Sequence, residues 1–186
     1  FRWVRPLQRV MCVYDGELLA IETPGDIPCG NVTSGHRFLS PGTFEVGYFG
    51  DYEKTLQLNK VILSGRTRRD VIEQKAAELA KDAGFKVKRD AALLAEIGGL
   101  VEWPVVLMGR IDAVFMDLPE EVLVTTMRSH QKYFAVEDGD GRLGPHFIVV
   151  SNMETEDGGA AIVAGNERVL RARLSDAIFF WDKDRK

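Results

Sequence analysis

Cysteine, histidine and long apolar runs are all scarce in this chain. Its 186 residues include two cysteines, Cys12 and Cys29, and three histidines, His36, His130 and His146. Neither cysteine belongs to a C-x-x-C pair and no H-E-x-x-H occurs, so no metal site is expected. Two isolated cysteines predict a reduced, cytoplasmic chain without a disulfide framework. No apolar run approaches the length of a membrane span. A net charge of −4 argues against general nucleic-acid affinity, so any such contact must be a local patch. Phosphate-binding and dinucleotide-binding glycine patterns are missing, as is a nucleophile elbow. Gly139-x-Gly141 lies between two strand patterns and reads as turn chemistry. There is no internal repeat, initiator methionine or leader. Phe1-Arg2-Trp3 reads as the middle of something and Trp181-Asp182-Lys183 as a helix tail, so a piece of a longer protein is expected.

What is present is densest between Asp117 and Ser151. Asp117 and Glu120 have capping-box spacing, with Pro119 in the first turn. Val122, Leu123, Thr126 and Met127 mark one face of a short helix. The period then changes. Tyr133–Val136 and Phe147–Val150 read as strands around Asp138-Gly139-Asp140-Gly141, a hairpin signal. Between helix and hairpin stand His130, Gln131, Lys132 and Tyr133, four polar side chains in succession. Such density suits contact with a polar partner, or a buried hydrogen-bond cluster joining helix to hairpin.

Apolar content of 45% is ordinary for a globular protein, and the length suits one sizeable domain or two small ones. Residues 9–22 predict a hairpin turning at Asp15-Gly16. Residues 23–31, with two prolines and two glycines, read as a loop. In Thr33–Phe38 the glycine lets a backbone approach a partner beside His36 and Arg37, with Phe38 and Leu39 expected in the core. A short helix is predicted near Asp51–Leu58 and a buried strand at Val61–Leu63. Ser64 should cap the longest helix, whose apolar stripe is Ile72, Ala76, Leu79, Ala80 and Ala83, with Gly84 as its stop. Arg66, Arg68 and Arg69 in its first turns oppose the helix dipole. Asp70 and Glu73 offset them, or they face an anion. Phe85–Lys88 alternates like an exposed strand, Asp90 should cap a helix over Ala91–Ile97, and Pro104 breaks the run before another strand.

The last helix is predicted to begin at Gly165-Asn166-Glu167, with Asn166 as N-cap. Leu170, Leu174, Ala177, Ile178 and Trp181 share its inner face. Arg168, Arg171, Ser175 and Phe179 share the outer one, a second contact surface for nucleic acid or for a following domain.

Several long motifs occur in order: Thr33–Phe38 (T-x-G-H-R-F), Leu100–Leu107 (L-V-E-W-P-V-V-L), Leu118–Phe134 (L-P-E-E-V-L, then T-M-x-x-H-Q-K-Y-F), Phe147–Asn152 and Gly165–Phe180 (G-N-E-R-V-L-R-A-R-L). Together they resemble the β subunit of the bacterial two-subunit glycyl-tRNA synthetases, from Val4-Arg5-Pro6 to Asp182. Two positions depart from the family. Arg9 stands where an aromatic residue is frequent, and Gly98-Gly99 interrupts a stretch expected to be helical.

The resemblance implies an α+β fold, a mixed or antiparallel sheet with hairpins packed by several helices, similar to the B3/B4 module of phenylalanyl-tRNA synthetases. It implies residues 1–164 as that domain and 165–186 as a helix leading toward an HD-like domain. It implies the α subunit and glycine tRNA as partners, no membrane, and ATP with Mg²⁺ acting at the α subunit and no cofactor here. The fragment is then not expected to form glycyl-adenylate alone. Candidate contacts to tRNA or partner are His36, Arg37, His130, Gln131, Lys132, Tyr133, Arg168 and Arg171, with Tyr133 stacking on an unpaired base. No catalytic residue is assigned. The rival readings are an editing-type deacylase around His36 and His130, and a purely structural scaffold.

Overall fold

The computed structural model describes residues 7–184, so Phe1-Arg2-Trp3 and the Val4-Arg5-Pro6 motif lie outside it. The fold is α+β, as expected. The chain divides after Leu63 into two compact units, Phe1–Leu63 and Ser64–Lys186.

The first unit is built from short pairings. β1 (Val10–Met11) runs parallel to β4 (Cys29–Gly30), β2 (Val13–Tyr14) is antiparallel to β3 (Glu17–Leu18), and β5 (Val32–Ser34) is antiparallel to β6 (Thr43–Glu45). Asp15 and Gly16, at φ 46° and 82°, make the tight primed turn that Asp-Gly predicts. α1 (Phe49–Leu58) follows. The strand expected at Val61–Leu63 is not formed. The Val61 amide instead reaches back to the Leu56 carbonyl past left-handed Lys60, a Schellman closure of α1 that uses the backbone a strand would need. Phe38 is 66% exposed, so it is not the core anchor expected of it.

The second unit has helices on both faces of one sheet. Its elements are α2 (Gly65–Asp82), β7 (Lys86–Val87), α3 (Ala91–Leu100), β8 (Val105–Arg110), a 3-10 turn (Ala113–Phe115), α4 (Glu120–Thr126), a π turn (Met127–Gln131), β9 (Phe134–Glu137), β10 (Leu143–Ser151) and α5 (Ala160–Asp184). The sheet order is β7-β9-β10-β8, antiparallel throughout. The period-2 alternation of strand side chains assigns the layers. Phe134, Val136 and Ile148 pack against Ile72, Ala76 and Ala80 of α2 and Leu93 and Ile97 of α3. Ala135, Phe147 and Val149 pack on the opposite side against Leu123, Met127, Leu170 and Leu174. Burial on both faces is why β9 and β10 carry nearly continuous apolar runs.

The helix starts show which caps operate. Ser64 accepts the Thr67 amide at 3.2 Å and Asp90 accepts the Leu93 amide at 2.8 Å, as predicted. Gly84, at φ 82°, ends α2. α3 runs through Gly98-Gly99 to Leu100. The Asp117 capping box does not form. The 3-10 turn takes the Leu118 amide onto the Phe115 carbonyl, and α4 begins one residue after Pro119 without a side-chain cap. α5 begins before Asn166, because Asp157 is the working cap. Its carboxylate accepts the Gly159 and Ala161 amides at 3.0 and 2.8 Å. The Thr155 hydroxyl, then those amides, hold the Asp157 carboxyl below its usual range. Asn166 therefore sits inside the helix, and the expected 164/165 division falls within continuous α5.

Candidate functional site

The polar segment after α4 is shaped by a backbone reversal. The π turn ends at Lys132, which is left-handed at φ 59°, and this turns Tyr133 inward. Tyr133 is 2% exposed, with its ring stacked on Phe147 at 4.5 Å. Its hydroxyl donates to Asn166 Oδ1 at 2.5 Å, while Asn166 Nδ2 donates to the Ile162 carbonyl at 2.7 Å and so fixes the amide. Burial pushes the Tyr133 phenol up to about 12. The expectation that Tyr133 stacks on an unpaired base is corrected: both ring and hydroxyl are occupied inside the unit.

Neighbouring charges are also engaged. Lys132 Nζ lies 2.9 Å from Glu96 of α3, and Arg128 Nε lies 2.5 Å from Asp90 Oδ2. Asp90 thus caps α3 and binds Arg128 at once, and the Arg128 guanidinium is the main reason its carboxyl is held below the usual range. Lys88 bridges Glu120 at 2.9 Å and Glu137 at 3.7 Å. Gln131 is half-buried, with its carbonyl 3.5 Å from the Tyr133 hydroxyl, and His130 is exposed. Most polar groups of this segment therefore tie α4 and the π turn to α3, β9 and α5.

On α5, Leu170 and Leu174 are buried and Ala177, Ile178 and Trp181 pack partly against the core, as the helical wheel predicts. Arg168 is exposed on the outer side, and Arg173, five residues on and about 140° round the helix, is exposed on its flank. Arg171 is exposed but lies 2.7 Å from Asp112. Phe179 and Phe180 are 63% and 60% exposed and pack edge to face at 5.5 Å. The outer aromatic is thus a pair, and Arg173 belongs to the exposed set although the sequence reading did not select it.

In the first unit, His36 is 1% exposed and its Nδ1 accepts the Phe38 and Leu39 amides at 3.3 and 3.1 Å. The His36 amide donates to the Asn59 carbonyl, and Ser40 Oγ donates to Asn59 Oδ1. Gly35 is required here, since a Cβ would come within 2.7 Å of the Ser40 carbonyl oxygen. His36 is therefore an internal staple of its own turn. Arg37 is exposed, 5.6 Å over the Phe38 ring.

The second unit also holds a cleft of about 1000 Å³ between α2, β7 and α3, which the sequence reading missed. Ile72, Ala76, Val87, Leu94 and Phe134 contribute apolar lining, and Lys81, Lys86, Lys88 and Arg89 contribute cations. A pocket of about 100 Å³, bounded by Arg128 and Tyr133, shares Lys88, Arg89, Asp90 and Phe134 with it. The available signal was three cations at 86, 88 and 89 placed after a helix with small residues at 76 and 77. Among the described residues, no helix is long and apolar enough to cross a membrane.

The family model described as "Glycyl-tRNA synthetase beta subunit" matches residues 1–186. A glycine–tRNA ligase beta subunit from Rhodospirillum centenum is 49% identical over 99% of this chain and 29% of its own length. The corresponding protein of Phenylobacterium zucineum is 49% identical over 100% of the chain and 28% of its own length. That of Rickettsia akari is 42% identical over 98% and 27%. The chain thus spans little more than a quarter of these relatives.

Proposed function

Because the chain belongs to the glycyl-tRNA synthetase beta subunit family, we propose that it acts as an accessory module of a cytoplasmic glycine–tRNA ligase. In this reading the whole enzyme attaches glycine to its tRNA at the expense of ATP. Adenylate chemistry, with ATP and Mg²⁺, belongs to the α subunit. This module positions tRNA for that reaction.

The observation carrying the reading is the outer side of α5. It presents Arg168 in line with Phe179, eleven residues on, and the exposed Phe179–Phe180 pair stands near its far end, with Arg173 exposed on the flank. Arginines on a helix surface meet phosphates and set the placement of RNA without reading its sequence. Exposed aromatic rings offer stacking to unpaired bases. Arg37 and His130 are the other exposed candidates without an ion-pair partner among the described residues. Lys132 and Arg171 reach tRNA only by sharing or releasing Glu96 and Asp112.

Arg168→Glu in the assembled α/β enzyme tests this. The expected result is a several-fold rise in KM for tRNA, kcat and melting temperature near wild type, and a salt dependence of tRNA binding shallower by about one counterion. An unchanged KM at low salt refutes the reading. Hydrolytic editing around His36 and His130 finds no support, since His36 has almost no accessible surface and both backbone bonds to its Nδ1 are internal.

A further inference from the structure

The outer side of α5 holds a second arginine, and its orientation is set from outside the helix. Arg171 follows Arg168 by three residues, so the two are neighbours on the helix surface. With Phe179 they fall within a sector of about 80° round the axis. The Arg171 guanidinium meets the Asp112 carboxylate along one edge. Nε lies 2.7 Å from Oδ2, and Nη2 donates to Oδ1 at 3.2 Å. Such a forked pair fixes the plane of the guanidinium as well as its position.

A guanidinium carries five N–H donors, and this pair uses two of them. Both N–H groups of Nη1 and the second of Nη2 stay free at the end of the side chain, with no partner among the described residues. Little in the fold depends on the pair. Asp112 precedes the 3-10 turn Ala113–Phe115 but gives it no side-chain cap. Glu167, four residues before Arg171 and placed to pair with it along the helix, instead accepts the Arg110 amide at 2.8 Å. Arg171 and Asp112 are 61% and 42% exposed, and an ion pair so open to water adds little to folding.

We propose that Asp112 is a positioning residue for RNA: it grips Arg171 by the Nε/Nη2 edge, so that the Nη1/Nη2 end offers a fixed fork to a tRNA phosphate beside Arg168. The proposal rests on reading the outer side of α5 as the RNA surface. A phosphate accepts two parallel N–H bonds from such a fork. An arginine held beforehand loses less side-chain freedom on binding. Against this stands repulsion between the Asp112 carboxylate and the phosphate, which water and salt screen at an exposed site. The sign of one substitution decides between the two effects. If Asp112 only adds a negative charge to the surface, its removal tightens RNA binding. If it aims Arg171, its removal weakens binding.

The test is tRNA charging by the assembled α/β enzyme. Asp112→Ala and Arg171→Ala should each raise KM for tRNA several-fold, with kcat and melting temperature near wild type. The double variant should be no worse than Arg171→Ala alone, because Asp112 acts through that arginine. Asp112→Asn keeps one acceptor oxygen and should fall between wild type and Asp112→Ala. Arg171→Lys keeps the charge without the fork and should still raise KM. A lower or unchanged KM in Asp112→Ala overturns the proposal. So does a rise that persists when Arg171 is already alanine, since Asp112 then acts on the 3-10 turn. Arg171→Lys leaves Asp112 and that turn in place, so an unchanged KM there overturns the proposal even if Asp112→Ala folds poorly. Arg168→Glu tells two failures apart. Where it raises KM and the Asp112 variants do not, the RNA surface stands and the positioning role falls. Where neither moves KM, both fall.

Discussion

The Tyr133 hydroxyl and the Asn166 amide meet at 2.5 Å, and this contact joins the end of the π turn to the interior of α5. In the sequence, Tyr133 stands in a segment that suits either contact with a polar partner or a buried hydrogen-bond cluster, and Asn166 is expected to cap the last helix. Each satisfies the other beside the stacked Tyr133–Phe147 pair. Tyr133→Phe keeps the ring and strands the Asn166 carbonyl oxygen. A buried acceptor left without its donor costs about 1–3 kcal/mol. For a chain of this size that corresponds to a fall in melting temperature of roughly 2–4 °C per kcal/mol. Thermal unfolding should show the loss while tRNA KM stays at the wild-type value. A raised KM with unchanged stability would return Tyr133 to the RNA surface.

The same phenol sets an alkaline limit. Folding holds Tyr133 at about 12, against about 10 in an unfolded chain. The unfolded state gives up that proton first, so the contribution is complete below about pH 10 and disappears as pH rises toward 12. Its full size is roughly 3 kcal/mol. In an alkaline titration, the phenolate absorbance that Tyr133→Phe removes should appear together with the loss of far-ultraviolet circular dichroism. Its appearance in a folded protein near pH 10 would contradict the burial.

Much of the second unit was legible in the sequence because its signals are local. Ser64, Asp90 and Gly84 bound their helices through contacts three or four residues away, and the inner faces of α2 and α5 follow the 3.6 period. The failures come from competition at longer range or from backbone closures. Asn166 looked like a cap because nothing in its own neighbourhood points to Tyr133, 33 residues away, or to Asp157 as the real start of α5. Val61–Leu63 looked like a strand because a Schellman closure leaves no apolar pattern. The candidate contacts were sorted by folding: Tyr133 and His36 went inside, Lys132 and Arg171 found carboxylates, and Arg37, His130 and Arg168 remained outside. Charge partners on other elements cannot be read from a sequence that does not show which elements meet.

Gly98 and Gly99 give a paired test of that point. Both lie in α3, where alanine is intrinsically better than glycine by about 1 kcal/mol. A Cβ on Gly99 meets nothing within 4 Å, so Gly99→Ala should stabilise the protein by about 0.5–1 kcal/mol in urea unfolding. A Cβ on Gly98 would stand 2.7 Å from Arg69 Cγ, and the neighbouring Arg68 Nε donates to the Gly98 carbonyl at 2.7 Å. Gly98→Ala must displace the Arg69 stem and should destabilise by about 1–3 kcal/mol. Equal effects of the two substitutions would mean that α2 and α3 do not cross as closely as described.

Lys132 separates structure from contact most directly. Its left-handed backbone costs about 1–2 kcal/mol for a residue with a side chain, and glycine removes that cost. Its ion pair with Glu96 is partly exposed and contributes at most about 1 kcal/mol. Lys132→Gly should therefore leave stability within about 1 kcal/mol of wild type, whereas Lys132→Val, branched at Cβ, should lose about 2 kcal/mol or more. Activity then decides the role. If the lysine serves only the turn and Glu96, Lys132→Gly charges tRNA at the wild-type rate and KM. If its ammonium also meets a phosphate, the same stable variant shows a raised KM for tRNA that shrinks as salt increases, because the missing contact was one that salt already weakens.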